Sequence, residues 1–221
     1  MGQIDAMAQH MWDARRARKN YTNLPAELKP ASISEAYEAQ EVYYRLAEPV
    51  YGPLGGVKVA TMGTGMHFTL GPAVIVWRDA DAATGDYHVV ASFTQTKAPT
   101  HPEAYGLFIG GHDLAGPTQG YTYFLVRGDG KFLIKRRVGD STVVVNPGGW
   151  TANDAVVKAD SAGKATNELS ILVGGGNVKF MVNGKEVYTA KASDVDAVGV
   201  VGLRVNHNLD VHVGALGVHK M

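Results

Sequence analysis

In the run Asn206-His207-Asn208-Leu209-Asp210-Val211-His212-Val213, two ionisable side chains stand two positions apart. If this run is a strand, Leu209, Val211 and Val213 face a core, and Asp210 and His212 share the opposite face. A carboxylate beside an imidazole can bind a metal, act as a general acid/base pair or receive sugar hydroxyls. The plainer explanation is the wet face of an antiparallel strand. His101, Glu103 and Tyr105 make a second polar group beside a proline-bounded loop, and His112 with Asp113 makes a third. Loops are where binding residues collect, although ordinary surface structure also accounts for both. Asp79, Asp81 and Asp86 surround an oxygen-rich turn ending at Gly85. Such a turn can hold calcium, but the spacing is not that of an EF-hand, and Asp side chains also cap turn amides.

Sugar recognition calls for aromatic faces beside hydrogen-bonding groups. Trp150, Tyr105, Tyr121 and Tyr123 are the candidates. Tyr121 and Tyr123 share one strand face while Thr122 and Phe124 share the other, so at least one set is packing. The triplet Lys135-Arg136-Arg137 reads as charge protecting an edge strand.

Composition removes several functions. Lys plus Arg and Asp plus Glu both number 21, giving zero net charge where a nucleic-acid binder needs a basic excess. With no cysteine, disulfides, thiolate metal sites and a Cys nucleophile are excluded. No glycine-rich phosphate loop opens a helix, and no nucleophile-elbow sequence occurs. No apolar run approaches membrane-spanning length, and the opening Met-Gly-Gln-Ile-Asp is not a basic stretch followed by an apolar core. The expectation is a soluble, cytoplasmic chain as written, exported only if its natural start differs.

The elements that must position these residues fall into two parts. Residues 1–65 hold five Glu and two Asp, whereas residues 66–221 hold three Glu and eleven Asp, with most of the Gly and Val. Glu favours helices, Asp and Gly favour turns, and Val favours strands. In the first part, Ile4, Met7, Ala8, Met11 and Trp12 form one helical stripe. A capping box at Ser32 and Glu35 starts a second helix that should stop by Pro49. The rest reads as about ten short strands, with hairpin turns at Asp129-Gly130 and Asn183-Gly184. The expected fold is mainly β: an antiparallel jelly-roll sandwich over 66–221, with a short two-helix segment ahead of it.

Three motifs near the end, Asn167-Glu-Leu-Ser-Ile-Leu-Val173, Val178-Lys-Phe-Met-Val-Asn183-Gly184 and Gly199-Val-Val-Gly202-Leu-Arg204, carry a resemblance. The β part resembles the concanavalin A-like, laminin-G-like jelly-roll superfamily, which implies carbohydrate binding or cleavage. On that resemblance a glycan is the expected partner, with Trp150, Tyr105, His101, Asp210 and His212 as binding residues. Calcium at Asp79, Asp81 and Asp86 is the one cofactor it suggests. The glucanase arrangement of Glu-x-Asp-x-Glu is absent, so catalysis of that type is not expected.

Ala14-Arg-Arg16, Ser34-Glu-Ala-Tyr37-Glu-Ala-Gln40 and Gly55-Gly56-Val-Lys58-Val-Ala60 are similar to the N-terminal piece of 2-keto-4-pentenoate hydratase and fumarylacetoacetate hydrolase-related enzymes. That resemblance implies an active-site role for Lys58. The metal-binding Glu-x-Glu pair of those enzymes is missing, because after residue 65 the glutamates are only Glu103, Glu168 and Glu186. The expected function is therefore a glycan-binding jelly roll with a truncated, non-catalytic hydratase-like head. The alternative is an enzyme: a glycan hydrolase working through Asp210 and His212, or a hydratase-related activity that needs a partner chain.

Overall fold

A computed structural model describes residues 2–17, 23–51, 57–62, 65–70 and 73–221. Two compact units divide the chain, Met1–Gly55 and Gly56–Met221.

The first unit pairs helix α1 (Gln3–Arg16) with helix α2 (Ile33–Tyr51), with a 3-10 turn at Ala26–Leu28 between them. The apolar stripe of α1 buries Met7, Ala8 and Trp12, and the Trp12 ring meets Tyr43 of α2 edge-on at 6.0 Å. At the start of α2 the Ser32 hydroxyl accepts the Glu35 amide proton (3.2 Å). The Glu35 carboxylate reaches the Ala31 amide (2.7 Å), one residue earlier than a reciprocal box would require. The helix runs past Pro49 to Tyr51, because a proline in the last turn removes only one hydrogen bond of an element about to end.

Among its described residues the second unit holds fifteen strands. They are β1 (Val57–Met62), β2 (Gly65–Leu70), β3 (Val74–Ala83), β4 (Tyr87–Gln95), β5 (Ala104–His112), β6 (Gly120–Arg127), β7 (Lys131–Val138), β8 (Ser141–Val144), β9 (Thr151–Ala152), β10 (Ala165–Gly174), β11 (Asn177–Val182), β12 (Lys185–Lys191), β13 (Gly199–Val205), β14 (Asp210–Val213) and β15 (Gly217–Lys220). The first sheet runs β1-β2-β14-β4-β10-β11-β12, with β15 also on β4. The second runs β3-β13-β5-β6-β7-β8, with β9 against β7. All neighbours are antiparallel, and the two sheets form a jelly-roll sandwich.

Period-two alternation builds the core. From β4, Tyr87, Val89, Ala91 and Phe93 point inward, and from β5, Tyr105, Leu107 and Ile109 do the same. Phe93 stacks on Tyr105 across the sheets with centroids 5.4 Å apart, and Phe124 meets Phe180 edge-on at the same separation. Each such ring contributes about 1.5–3 kcal/mol by leaving water. Asn183 and Gly184 take φ of 50° and 75°, as the Asn-Gly hairpin requires, and Gly175 and Gly176 turn β10 into β11 with φ of 58° and 77°.

Three expectations change. The β unit takes in Val57–Met62, which pair with β2, so the compositional cut at residue 66 falls inside a hairpin. Strand β7 is flanked by β6 and β8 and is therefore not an edge; its Arg136 instead forms a two-pronged ion pair with Asp196 (2.7 and 2.8 Å). The extra strands are mostly short pieces such as β8 and β9, too brief to show a hydrophobic period.

The outer face of the second sheet carries a second apolar cluster containing Phe108, Leu114, Tyr121, Tyr123 and Leu125, with Trp77 and Trp150 against it. Gly202 makes this packing possible: a Cβ there would lie 2.5 Å from the Phe108 ring and closer still to the Val76 carbonyl. Gly202→Ala should therefore cost about 1–3 kcal/mol through overpacking, measured by urea denaturation. Gly175→Ala, with nothing within 4 Å and only its positive φ to strain, should cost about 1–2 kcal/mol. Equal midpoints for the Gly202→Ala and unaltered chains would contradict the packing assigned to Phe108.

Candidate functional site

Three loops meet at one end of the sandwich. The β4–β5 connection carries Ala98, Pro99, Thr100, His101 and Pro102. The β6–β7 turn carries Gly128 and Asp129, and the stretch ahead of β10 carries Ala159, Asp160 and Gly163. They enclose a cleft of about 310 Å³, into which Gln95 and Glu103 also project. The walls are tied together. Gln95 Nε2 donates to the Gly163 carbonyl (2.6 Å), the Ala159 amide donates to the Gly128 carbonyl (2.8 Å), and Asp160 Oδ1 accepts the amides of Ala162 and Lys164 (2.9 Å each). Gly163, at φ 80°, lies so close to Ala98 that no side chain fits between the two loops.

Charge gathers at two points of the rim. Arg127 donates two hydrogen bonds to Asp129 (2.8 and 2.6 Å). That pairing holds the Asp129 carboxyl below the usual carboxylate range, against a smaller opposing effect of burial. The same guanidinium lies 4.5 Å above the Trp150 ring. At the second point Glu103 Oε1 meets both His101 Nδ1 (3.0 Å) and His207 Nε2 (2.8 Å). The Glu103 side chain is 8% exposed, while the imidazoles are 49% and 47% exposed. Asn208 Nδ2 stands 3.0 Å from the other His101 nitrogen. Among the described residues this is the one place where three side chains able to ligate a metal converge.

The sequence-based candidates scatter. His101 lines the cleft and brings Glu103 with it, and the chain turn after β13 adds His207. Tyr105 is no ligand platform: alternation sends it inward with Leu107, and its ring is wholly buried against Phe93, its hydroxyl 3.3 Å from Asn167 Nδ2. Trp150 is half-buried, but Arg127 occupies one face of its ring, so that face is not free for a sugar. Asp210 and His212 do share the outer face of β14, with Leu209, Val211 and Val213 buried behind them, as alternation requires. That face belongs to the first sheet, so it lies on the other side of the sandwich from the Trp150 cluster.

Asp210 is also already engaged, with His67 Nε2 at 2.9 Å, Lys97 Nζ at 3.0 Å and the Thr96 hydroxyl closer still. Of the proposed calcium residues, Asp81 holds Arg78 through two 2.8 Å bonds and Asp79 accepts the Trp77 indole proton (3.2 Å). With Asp86 they form no convergent group among the described residues. The backbone of Lys58 pairs with Thr69, and its side chain lies outside the described residues. Arg127-Gly-Asp129 reads in sequence only as a hairpin turn, which conceals the ion pair at the rim.

No protein-family model matches this sequence, and no curated protein matches it. Solved structures do share the architecture. The carbohydrate binding module CBM66 from Bacillus subtilis superposes with a TM-score of 0.56 at 13% identity, covering 75% of this chain and 92% of that one. A protein of unknown function with a galectin-like fold, also from Bacillus subtilis, gives 0.51 at 12% identity over 75% and 87% of the two chains. The Emp46p carbohydrate recognition domain gives 0.50 at 10% identity over 74% and 86%. At these identities the likeness is one of fold, and it places the β unit among jelly rolls; the hydratase-like head receives no support from these comparisons.

The Asp210 network carries a pH signature. Burial pushes this carboxyl up, but the Thr96 hydroxyl, Lys97 and His67 more than offset it, leaving it below its ordinary value. A carboxyl lowered in the folded state adds stability above its unfolded value of about 4, and that stability is lost as pH falls through the folded value. The stability gap between the unaltered chain and Asp210→Asn should therefore be full at neutral pH and close on acidification below about pH 4, followed by urea midpoints. A gap that stays constant into acid would contradict the network.

Proposed function

We propose that the β unit is a concanavalin-like carbohydrate-binding module whose ligand enters the end cleft. The observation that carries this reading is the cleft itself. Its walls combine Pro99, Pro102 and the small residues Ala98, Gly128, Ala159 and Gly163 with polar groups: the Asp129 carboxylate held by Arg127, the Asp160 carboxylate and the His101 imidazole. Sugar hydroxyls need dense acceptors and donors beside short apolar surfaces, and charge-assisted bonds to carboxylates are among the stronger ones available. A volume near 310 Å³ is at the lower end for ligand pockets, about 300–1,000 Å³. That size suits the end of a glycan better than a long internal stretch. The fold shared with a carbohydrate binding module and a carbohydrate recognition domain adds an analogy of architecture.

At the rim, Arg127 holds the Asp129 carboxyl below its usual range, which suits a fixed hydrogen-bond acceptor.

The test is a thermal-shift and calorimetric screen of the full chain against an oligosaccharide panel. One sugar class should raise the melting temperature saturably. Asp129→Asn should weaken that binding by about tenfold or more, the loss expected for one charge-assisted hydrogen bond, while Asp210→Asn leaves it unchanged. A panel without any shift, or an Asp129→Asn variant that binds as tightly as the unaltered chain, would defeat the proposal.

A further inference from the structure

We propose that His101, Glu103 and His207 form a binding site for a divalent transition-metal ion of the zinc class. The first argument is charge. Glu103 is a buried carboxylate, and among the described residues neither lysine nor arginine forms an ion pair with it; its partners are the two imidazoles. A carboxylate removed from water needs positive charge close by.

The second argument is shape. Both imidazoles aim a ring nitrogen at the same carboxylate oxygen, at 3.0 and 2.8 Å, with ring centroids 5.3 Å apart, and the three ligand atoms all lie within 4.8 Å of one another. Tetrahedral zinc with bonds of about 2.0–2.1 Å separates its ligand atoms by roughly 3.3 Å. Replacing the shared protons by an ion lengthens the two N···O distances by a few tenths of an ångström, roughly, and draws together the two imidazole nitrogens, which lie within 4.8 Å, a change that rotation of the exposed rings supplies.

The third argument is positioning. Pro102 separates His101 from Glu103, and Glu103 leads directly into β5. The segment holding His207 is tied to that strand by the Asn206 amide donating to the Ala104 carbonyl (2.9 Å), and it turns through Asn208 at φ 58°. Both ligand-bearing segments are thus anchored to neighbouring strands of one sheet. Asn208 supplies an outer partner. With the ion on His101 Nδ1, the opposite nitrogen becomes a donor, and a half-turn of the Asn208 amide presents its oxygen in place of the nitrogen now 3.0 Å away.

Two imidazole nitrogens and one carboxylate oxygen suit zinc and its first-row neighbours, whereas calcium and magnesium take oxygen shells. Three protein ligands leave a coordination position for water or a ligand oxygen, and His101 and Glu103 both line the cleft. Zinc binding itself requires no glycan.

The experiment uses the full chain, untagged and chelator-treated, titrated with zinc alone by calorimetry and with cobalt by visible absorption. One ion per chain is expected, with cobalt giving the intense bands of a low-symmetry site. Glu103→Gln and His207→Ala should each weaken zinc binding by more than about 100-fold, and Asn208→Ala by about 10–100-fold, the range for an outer partner. His67→Ala should bind as the unaltered chain does. If Glu103→Gln does not fold, His207→Ala, on an exposed turn, carries the test. Absence of stoichiometric binding would overturn the proposal. So would binding that survives both ligand substitutions, which would place the ion elsewhere, for instance at the His67–His212 or His88–His219 pairs, whose ring centroids lie 6.3 and 6.0 Å apart.

Discussion

A buried amide, Asn167, anchors the chain that leads into one wall of the end cleft. Asn167, wholly inaccessible on β10, accepts the Val157 amide (2.8 Å) and Asn183 Nδ2 (2.9 Å) through its oxygen. Its nitrogen donates back to the Val157 carbonyl (3.2 Å) and lies 3.3 Å from the Tyr105 hydroxyl. Asn183 extends the network, accepting the Glu168 amide and donating to the Ala155 carbonyl, each at 2.8 Å. The stretch between β9 and β10 has no strand partner of its own for most of its length, so these side chains satisfy backbone groups that a sheet would otherwise satisfy. That stretch supplies Ala159, Asp160 and Gly163, one wall of the cleft. Asn167 thus fixes the chain leading into that wall, and the Ala159 and Gln95 bonds fix the wall itself.

Fold and site depend on different kinds of contact. The sandwich rests on alternation, with Phe93, Tyr105, Phe124 and Phe180 interleaving between sheets, and such packing tolerates much variation in sequence. This accounts for shared architecture with other jelly rolls at 10–13% identity. The cleft rests on side-chain-to-backbone bonds from Gln95, Asn167 and Asp160, each of which needs one particular polar group in one place.

This difference sets what could be read in advance. The Asn-Gly hairpin at 183–184, the α1 stripe and the inward set on β14 are local patterns, and each was legible because its physics spans only a few residues. The choice between the Tyr121/Tyr123 face and the Thr122/Phe124 face was not, because both faces of β6 are buried and alternation cannot say which cluster is which. His101 with Glu103 and His207 were visible as separate polar groups about a hundred positions apart; only the crossing of β5 and β13 in one sheet brings them together. Tyr105 carries conflicting local signals: a polar loop beside it, and an alternation with Leu107 and Ile109 that turns its ring into the core.

The most direct test of the account is to locate the bound sugar. Backbone amide resonances of the isotope-labelled chain, followed through titration with the best-shifting oligosaccharide, report which residues change surroundings. The account predicts that the perturbed amides cluster at 95–103, 127–130 and 159–164. Perturbation confined to the outer face of the first sheet around His67, Asp210 and His212, or to the helical unit, would contradict it.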